Sequence, residues 1–345
     1  MNEDLNPGCL VLEGSEPLSL LSHMAFYGLA AILEGDGRDG LRLSWTAGMS
    51  PRPVLSGPGL DNDAIGEMVR LHAASRARGS WPSERLSLAG KERGLMSPRV
   101  GKIDDWENLQ RRRRDTLDRL VDEQALVDLR LVWSLGEPCY WRFDKKEAPL
   151  QDDAASRLEM QSRNNGSEVV SQRFAPLAAL VAERPAEAIT AGLVGTSVSD
   201  QLSDNSPNGR SGTGFRGPGP VDDAVAWCAL WGISQFPLIQ STRRRATTAG
   251  HIGKGDKESF YVPVWAGRLA PSRLRTVLAS AQLRAVAAAA TSPGGSLAAA
   301  GQSVRWLAAR GVLAVITFPV ARFGSAKAPE RRAQQGVVHR LEATR

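Results

Sequence analysis

One apolar stretch, residues 221–232, constrains the fold more than any other part of the chain. Pro218 and Pro220 precede it, and proline is well tolerated in the first turn of a helix. Asp222 and Asp223 follow, where a negative charge interacts favourably with the positive end of the helix dipole. Ala224, Trp227, Cys228 and Trp231 follow helical spacing and mark one buried face. Because alanine and leucine fill most remaining positions, the pattern predicts a helix buried on nearly all sides.

A basic segment follows this helix after a short connection. It contains Arg243, Arg244 and Arg245, and Thr247 and Thr248 come after one further alanine. Guanidinium and hydroxyl groups are good donors to phosphate oxygens, and a rigid helix beside them would hold the segment in place. Two interpretations stay open, a solvated basic loop or a loop that binds phosphate groups.

The composition limits the kind of protein without identifying a partner. The chain has 345 residues, enough for two domains, and a formal net charge of +6, which favours polyanions as partners. Its three cysteines lie far apart without the spacing of a metal or redox motif, so we expect reduced thiols and a cytoplasmic protein. The N-terminus lacks the basic start of a secretory signal, and no apolar run reaches roughly 18 residues, so we expect no membrane span.

Hydrophobic periodicity predicts strands and helices that alternate from the start of the chain. Residues 9–12 and 41–45 are predicted strands and 18–33 a helix between them, which indicates an α/β unit on one sheet. The other predicted helices are 61–77, 106–123, 167–184, 271–290 and 296–309, and the other predicted strands are 126–134, 139–143, 259–265 and 312–318. We therefore predict an α/β or α+β fold with a mixed sheet, packed helices and a helix-rich C-terminal half.

A polar segment near residue 150 divides the chain into two predicted domains. Residues 1–150 form an N-terminal α/β domain. Residues 151–326 form a helix-rich α/β domain, which contains a glycine-rich loop at 199–220. Residues 327–345 form a basic tail that we expect to be frayed.

Further donors of hydrogen bonds occur outside the arginine-rich segment. The glycine-rich loop carries Arg210 and Arg216, and its glycines allow a ligand to approach the backbone closely. The predicted helix 106–123 carries four consecutive arginines, which point to all sides of a helix, so two at most can face one partner. We take Arg112 and Arg113 as those candidates, and Asn164 as a neutral donor. A mobile surface loop and a solvated charged helix are the alternatives.

The sequence contains no motif that identifies a catalytic or metal site. It has no His-Glu-x-x-His pair and no Gly-x-Ser-x-Gly elbow, and four histidines leave little material for a metal centre. Gly212, Gly214 and Gly217 match the letters of the dinucleotide fingerprint, but no strand leads into them and prolines follow. We therefore predict no catalytic residue, no metal and no cofactor, which favours a binding protein.

Two apolar blocks, residues 24–34 and 227–237, resemble subunits of CRISPR type I effector complexes (Cascade). They read Met-Ala-Phe-Tyr-Gly-Leu-Ala-Ala-Ile-Leu-Glu and Trp-Cys-Ala-Leu-Trp-Gly-Ile-Ser-Gln-Phe-Pro. The chain is similar here to the divergent large-subunit-like proteins of type I-G (formerly I-U) systems. The resemblance implies a non-enzymatic subunit of a hetero-oligomeric ribonucleoprotein, which binds guide RNA and target DNA beside other effector subunits. Such a subunit helps to recognise a short target motif and to hold the opened DNA, and a separate helicase-nuclease cuts.

The resemblance, together with the donors above, defines a set of candidate nucleic-acid contacts. They are Arg243, Arg244, Arg245, Thr247, Thr248, Arg210, Arg216, Arg112, Arg113 and Asn164. Two alternatives stay open: a metal-independent enzyme that uses carboxylates or hydroxyls of loop 199–220, and a scaffold that binds only protein.

Overall fold

A computed structural model describes residues 8–88, 90–96, 105–136, 156–160, 169–206, 213–239, 246–323 and 330–341. The helices in these residues are α1 Leu20–Gly35, α2 Asn62–Ala74, α3 Trp106–Asp122, α4 Leu126–Leu135, α5 Ala175–Ala182, α6 Ala186–Val194, α7 Asp223–Trp231, α8 Pro271–Leu278, α9 Ala281–Thr291 and α10 Gly301–Ala308. The strands are β1 Gly8–Val11, β2 Arg42–Trp45, β3 Pro53–Gly57, β4 Arg85–Leu88, β5 Lys91–Gly94, β6 Leu238–Ile239, β7 Thr247–Thr248, β8 His251–Ile252, β9 Ser259–Trp265, β10 Val312–Phe323, β11 Glu330–Ala333 and β12 Val337–Arg340. The strands pair antiparallel in several small sheets, so the fold is α+β, one of the two predicted classes.

The centre of the fold is the pair of helices α1 and α7, which pack closely on each other. Two glycines allow this approach. A Cβ on Gly28 would lie 2.5 Å from the backbone nitrogen of Gly232 and closer still to the carbonyl oxygen of Cys228. A Cβ on Gly232 would meet the backbone of Met24 in the same way. The two apolar blocks, residues 24–34 and 227–237, are therefore in direct contact, and their glycines serve helix packing.

The predicted buried helix is confirmed as α7. Its N-cap is Asp222, whose side chain accepts a hydrogen bond from the backbone N–H of Ala224 (2.9 Å). Trp227 and Trp231 are fully buried. The indole N–H of Trp227 donates to Nδ1 of His72 on α2 (3.2 Å), which satisfies the polar end of a side chain that is otherwise in the core.

The first sheet has the order β1-β3-β2, so the strands on both sides of α1 belong to one sheet, as predicted. On the outer edge of β2, Leu43 forms a β-bridge with Leu269 through two backbone hydrogen bonds of 2.8 Å. This bridge joins the two predicted domains, and one cluster of buried apolar residues extends from Leu10 to Leu341. The boundary predicted at 150 falls among residues that the structure does not describe, and it stays a prediction.

The second sheet runs β8-β9-β10, with β11 and β12 both paired to the far side of β10. The expectation of a frayed tail is therefore wrong for residues 330–341. Charge alone suggested a solvated end, but this segment pairs along most of β10 and buries Arg331 and Ala333. The remainder of the predicted tail lies outside the described residues.

One predicted strand, residues 126–134, is wrong, because this segment forms helix α4. A short apolar run is compatible with either structure. In the folded chain Val127, Leu131 and Leu135 are buried at a spacing of four residues, which places them on one face of a helix. Gly136, at a φ of 119°, ends the helix in the left-handed conformation that glycine favours. The predicted strand 139–143 lies outside the described residues.

Other predictions hold with smaller changes. The predicted helix 271–290 is two helices, because the hydroxyl of Ser280 accepts from the N–H of Leu283 (3.2 Å) and starts α9. Strand β3 and the hairpin β4–β5 were not predicted. The elements confirmed within a few residues are the helices at 18–33, 61–77 and 106–123 and the strands at 9–12, 41–45, 259–265 and 312–318. None of the described helices combines the length and the apolar character that crossing a membrane requires.

Candidate functional site

A groove of about 500 Å³ lies at the N-terminal end of α1. Its walls are the first turn of α1, the C-terminal end of α6, the segment 213–221 that leads into α7, and the turn between β11 and β12. The small or hydrogen-bonding residues that line it are Gly14, Ser15, Glu16, Ser19, Ser22, Gly192, Gly195, Ser197, Arg216, Gly217, Asp222, Gln334 and Gln335. We call this the α1 groove. It is rich in hydroxyl, amide and backbone groups.

Most backbone N–H groups at the start of α1 already have acceptors, since Ser19 donates to the carbonyl oxygen of Glu16 (3.0 Å) and Ser22 to that of Ser19 (3.2 Å). Ser19 at the N-cap has an extended backbone, and within the described residues its side chain makes no capping hydrogen bond. The first turn of α1 contains no acidic residue, so the positive end of the helix dipole is not neutralised within the helix. The N–H of Leu21 is used, because it donates to the carbonyl oxygen of Phe215 (3.1 Å) and ties the glycine-rich loop to α1.

A buried histidine holds the segment before α1. Nε2 of His23 donates to the carbonyl oxygen of Pro17 (2.8 Å). Burial lowers the pKa of His23 to about 4, against the raising effect of that hydrogen bond, so the ring is neutral near pH 7. His23 therefore has a structural role, because it holds the segment that precedes α1. The sequence shows no metal-ligand spacing around it.

The opposite wall depends on a close contact between two glycines. The N–H of Gly14 donates to the carbonyl oxygen of Val194 at the end of α6 (2.8 Å). A Cβ on Gly195 would lie 2.8 Å from the backbone nitrogen of Gly14, and Gly195 has a φ of +84°. Both the space and the backbone conformation therefore require glycine at residue 195.

Three buried aspartates hold the glycine-rich loop against α6 and α7. Asp222 forms a two-bond ion pair with Arg184 (2.9 and 3.1 Å) and accepts from the N–H of Ser199 (3.0 Å). Asp200 accepts from the N–H of Val221 (3.0 Å). Asp223 accepts from two backbone N–H groups of the loop, and its burial nevertheless raises its pKa to about 6. These carboxylates are occupied in fixing the backbone.

Arg216 is the predicted contact that the structure places in the α1 groove. It is exposed, and it has no ion-pair partner among the described residues. The other arginine of the loop, Arg210, and the residues Asn164, Arg243, Arg244 and Arg245 lie outside the described residues, so their placement stays a prediction. The paired strands β6 and β7 flank the last three of these in sequence.

Two predicted contacts are corrected by burial. Arg113 is 1 % exposed, and its Nε donates to the carbonyl oxygen of Leu95 (2.9 Å), whereas Arg112 beside it is exposed. Thr248 is 2 % exposed, and its hydroxyl accepts from the N–H of Arg157 (2.8 Å). In this conformation neither Arg113 nor Thr248 is accessible to a nucleic acid. Thr247 is partly exposed on β7, away from the groove-lining residues.

A buried charge network, not predicted from the sequence, holds the C-terminal strands. The carboxylate of Glu258 accepts from Arg331 (2.8 Å), Arg322 (3.1 Å) and Nε2 of His251 (3.0 Å). Burial alone raises the pKa of Glu258, but the hydrogen bond from His251 and the charge of Arg331 hold that pKa well below its ordinary value. Gln334 and Gln335, in the short connection between β11 and β12, line the α1 groove.

Sequence reasoning identified the glycine-rich loop and Arg216, but it missed Gln334, Gln335 and the start of α1. The described residues contain no group of three or more histidine, cysteine, aspartate or glutamate side chains with the geometry of a metal site. Comparisons of the sequence with protein-family models and with curated proteins find no match.

Proposed function

We propose that this chain is a nucleic-acid-binding, non-enzymatic subunit of a type I CRISPR effector complex, as the resemblance in the two apolar blocks suggests. In this proposal it works in the cytoplasm beside other effector subunits, contacts guide RNA and target DNA, and helps to hold the opened DNA. The α1 groove contacts the sugar-phosphate backbone.

One observation carries the choice of site. The α1 groove combines an exposed arginine, Arg216, which has no ion-pair partner among the described residues, with the positive end of the α1 dipole and with Gly217, which has open space around its Cα. Guanidinium groups, backbone N–H groups and helix N-termini are the donors that proteins direct at phosphate oxygens. Gln334, Gln335 and the serines add neutral donors, which suit contact with a backbone rather than with one particular base.

The carboxylates of the same region favour binding over catalysis. Asp200, Asp222 and Asp223 are buried and accept hydrogen bonds from backbone N–H groups, and Asp222 is neutralised by Arg184. A general acid or base must reach the proton that it transfers. These three carboxylates hold the backbone of loop 199–220 in place, which favours a binding role for this region over a catalytic one.

The proposal is tested by the affinity of the assembled complex for target DNA as a function of salt concentration. Replacing Arg216 by alanine is expected to weaken binding at low salt and to reduce the slope of log K against log [salt] by roughly 0.7–0.9, the value of one phosphate contact. The matched control is Arg268→Ala, since Arg268 is exposed in the turn before α8 and does not line the groove. Equal affinity and equal slope for both variants and the wild type would remove the α1 groove from the proposal.

The arginine-rich segment is tested separately in the same assay. Replacing Arg243, Arg244 and Arg245 together by alanine is expected to reduce the slope by up to roughly 2–3, because three phosphate contacts are lost. An unchanged slope would show that these side chains do not contact the nucleic acid.

A further inference from the structure

The C-terminal segment forms one edge of the second sheet. Strands β11 and β12 pair antiparallel with β10 on the side opposite β9. The backbone groups of this segment therefore alternate between bonds to β10 and an outward direction. The N–H of Leu341 donates to the carbonyl oxygen of Leu313 (2.8 Å), which means that the N–H groups of Val338 and Arg340 point outward.

The first half of this edge is covered by other parts of the chain. Three N–H groups there that do not bond to β10 donate to carbonyl oxygens of neighbouring segments. These bonds run from Arg331 to Met160 (3.1 Å), from Ala333 to Gly214 (3.0 Å) and from Gly336 to Leu18 (2.9 Å). The fold thus satisfies these outward donors through neighbouring segments.

The second half of the edge is not covered by any of the described residues. Among the described residues, no acceptor lies in hydrogen-bond reach of the outward N–H groups of Val338 and Arg340. We call residues 337–340 the open edge. A row of unpaired backbone groups on a sheet edge is a template for another extended strand, and proteins usually protect such edges by charge, proline or a covering segment.

The side chains of the open edge are unusual for a strand that stays in water. Val337 and Val338 are 50 % and 46 % exposed, on opposite faces of the strand. Arg340 is exposed and has no acidic partner among the described residues. His339 is already engaged, because its Nε2 lies 2.9 Å from the hydroxyl of Thr317. The edge therefore offers two apolar side chains and one free positive charge.

We propose that the open edge is a docking site for an extended, acidic segment of a partner protein, which adds a strand to the second sheet beside β12. Backbone hydrogen bonds to Val338 and Arg340 supply the affinity. An apolar residue opposite Val338 and a carboxylate opposite Arg340 supply the specificity.

Charge distinguishes this partner from a second copy of the chain. Two copies of the open edge paired with each other would bring two Arg340 side chains to the same face of one ribbon without a carboxylate between them. Like charges across strands are destabilising, whereas an opposite charge is favourable. The proposal does not depend on nucleic-acid binding, because none of residues 337–340 lines the α1 groove.

The test uses the full-length chain, purified alone and also in the assembly recovered from its native cells through an affinity tag. Hydrogen exchange is measured at single-residue resolution for the amides of Val338 and Arg340. In the assembly both amides are expected to exchange at least about tenfold more slowly than in the isolated chain, because each gains an acceptor. Exchange at Leu341, which already donates to Leu313, serves as the internal reference.

Two substitutions separate the open edge from other contacts. Val338→Pro removes only the outward N–H of residue 338, so the pairing of β12 with β10 is kept, and the variant is expected to lose the partner. The matched control, Val338→Ile, keeps this N–H and is expected to retain the partner. Arg340→Glu is expected to weaken the same association at least about tenfold through charge repulsion. This variant tests the proposal if Val338→Pro lowers the melting temperature of the chain. Unchanged exchange at both amides, a partner retained by both variants, a chain recovered alone, or a homodimer would each overturn the proposal.

Discussion

The contact between α1 and α7 allows a sharp prediction for the substitution Gly28→Ala. The new Cβ would lie 2.5 Å from the backbone nitrogen of Gly232, and real Cβ atoms almost never come closer than 3.0 Å to another heavy atom. The nearest atom of all is the carbonyl oxygen of Cys228, which is also backbone. Because no side-chain rotation relieves a clash with backbone, the two helices must separate along their whole contact.

The expected cost is at the upper end of the range for overpacking, about 3 kcal/mol. The unfolding entropy of about 2.1 cal/mol/K per residue amounts to roughly 0.7 kcal/mol/K for a chain of this length, so Tm falls by about 4 °C. Differential scanning calorimetry of the purified chain measures this shift directly. The same experiment reports whether the variant still unfolds in a single transition.

The matched control is Gly301→Ala at the first residue of α10. No heavy atom outside its local backbone lies within 4 Å of a Cβ built there, in the part of the chain that the structure describes, and the backbone is already helical. Removing unfolded-state entropy is expected to stabilise the protein by about 0.4–1 kcal/mol, so Tm rises by about 1 °C. If Gly28→Ala left Tm within about 1 °C of the wild type, the proposed close packing of α1 and α7 would be refuted.

Three further substitutions test the buried polar groups. Arg113→Ala is expected to lower the free energy of unfolding by about 2–3 kcal/mol because it empties a buried, hydrogen-bonded site, whereas Arg112→Ala changes it by less than about 0.5 kcal/mol; equal values in urea denaturation would contradict the assignment. Glu258→Gln removes the buried carboxylate that Arg331, Arg322 and His251 share and is expected to cost about 3 kcal/mol at pH 7. Since the folded pKa of Glu258 is depressed, its stabilising contribution is fully present above a pH of about 4.3 and falls as the pH drops below that value, so the difference in Tm between wild type and variant must narrow from pH 4.3 to pH 3. Asp223→Asn has the opposite sign. The folded pKa of Asp223 is raised from 3.8 to about 6, so the wild type loses stability as the pH rises from 3.8 to about 6, and the variant must gain stability relative to the wild type across that range and keep a constant difference above it.

Long apolar runs made the central elements predictable from the sequence. Helices α7 and α1 are apolar on most sides, and an apolar run of that length with prolines or glycines at its ends is typical of a buried helix. The shorter run at α4 is compatible with both periods, and only its packing in the folded chain decides for a helix. Local sequence thus determines structure where the periodic pattern is long.

Buried polar groups were much harder to predict, because their partners are remote in sequence. Glu258 binds His251 seven residues away, Arg322 sixty-four residues away and Arg331 seventy-three residues away. Composition describes these residues only as charged, and charged residues are usually exposed. The same remoteness explains why the turn with Gln334 and Gln335 was not connected with the start of α1.

The arginines of α3 show a case where the signal was present in the sequence. The buried residues of this helix are Leu109, Arg113, Thr116 and Leu120, which follow the spacing i, i+4, i+7, i+11 of one helical face. Leucines at both ends of this face set its phase, and that phase places Arg113 inside and Arg112 outside. Residue type made Arg112 and Arg113 equivalent candidates for contact with a polyanion, whereas helical geometry makes Arg113 a core residue. A charged run on a helix is therefore informative about function only after the apolar residues have determined which of its members face solvent.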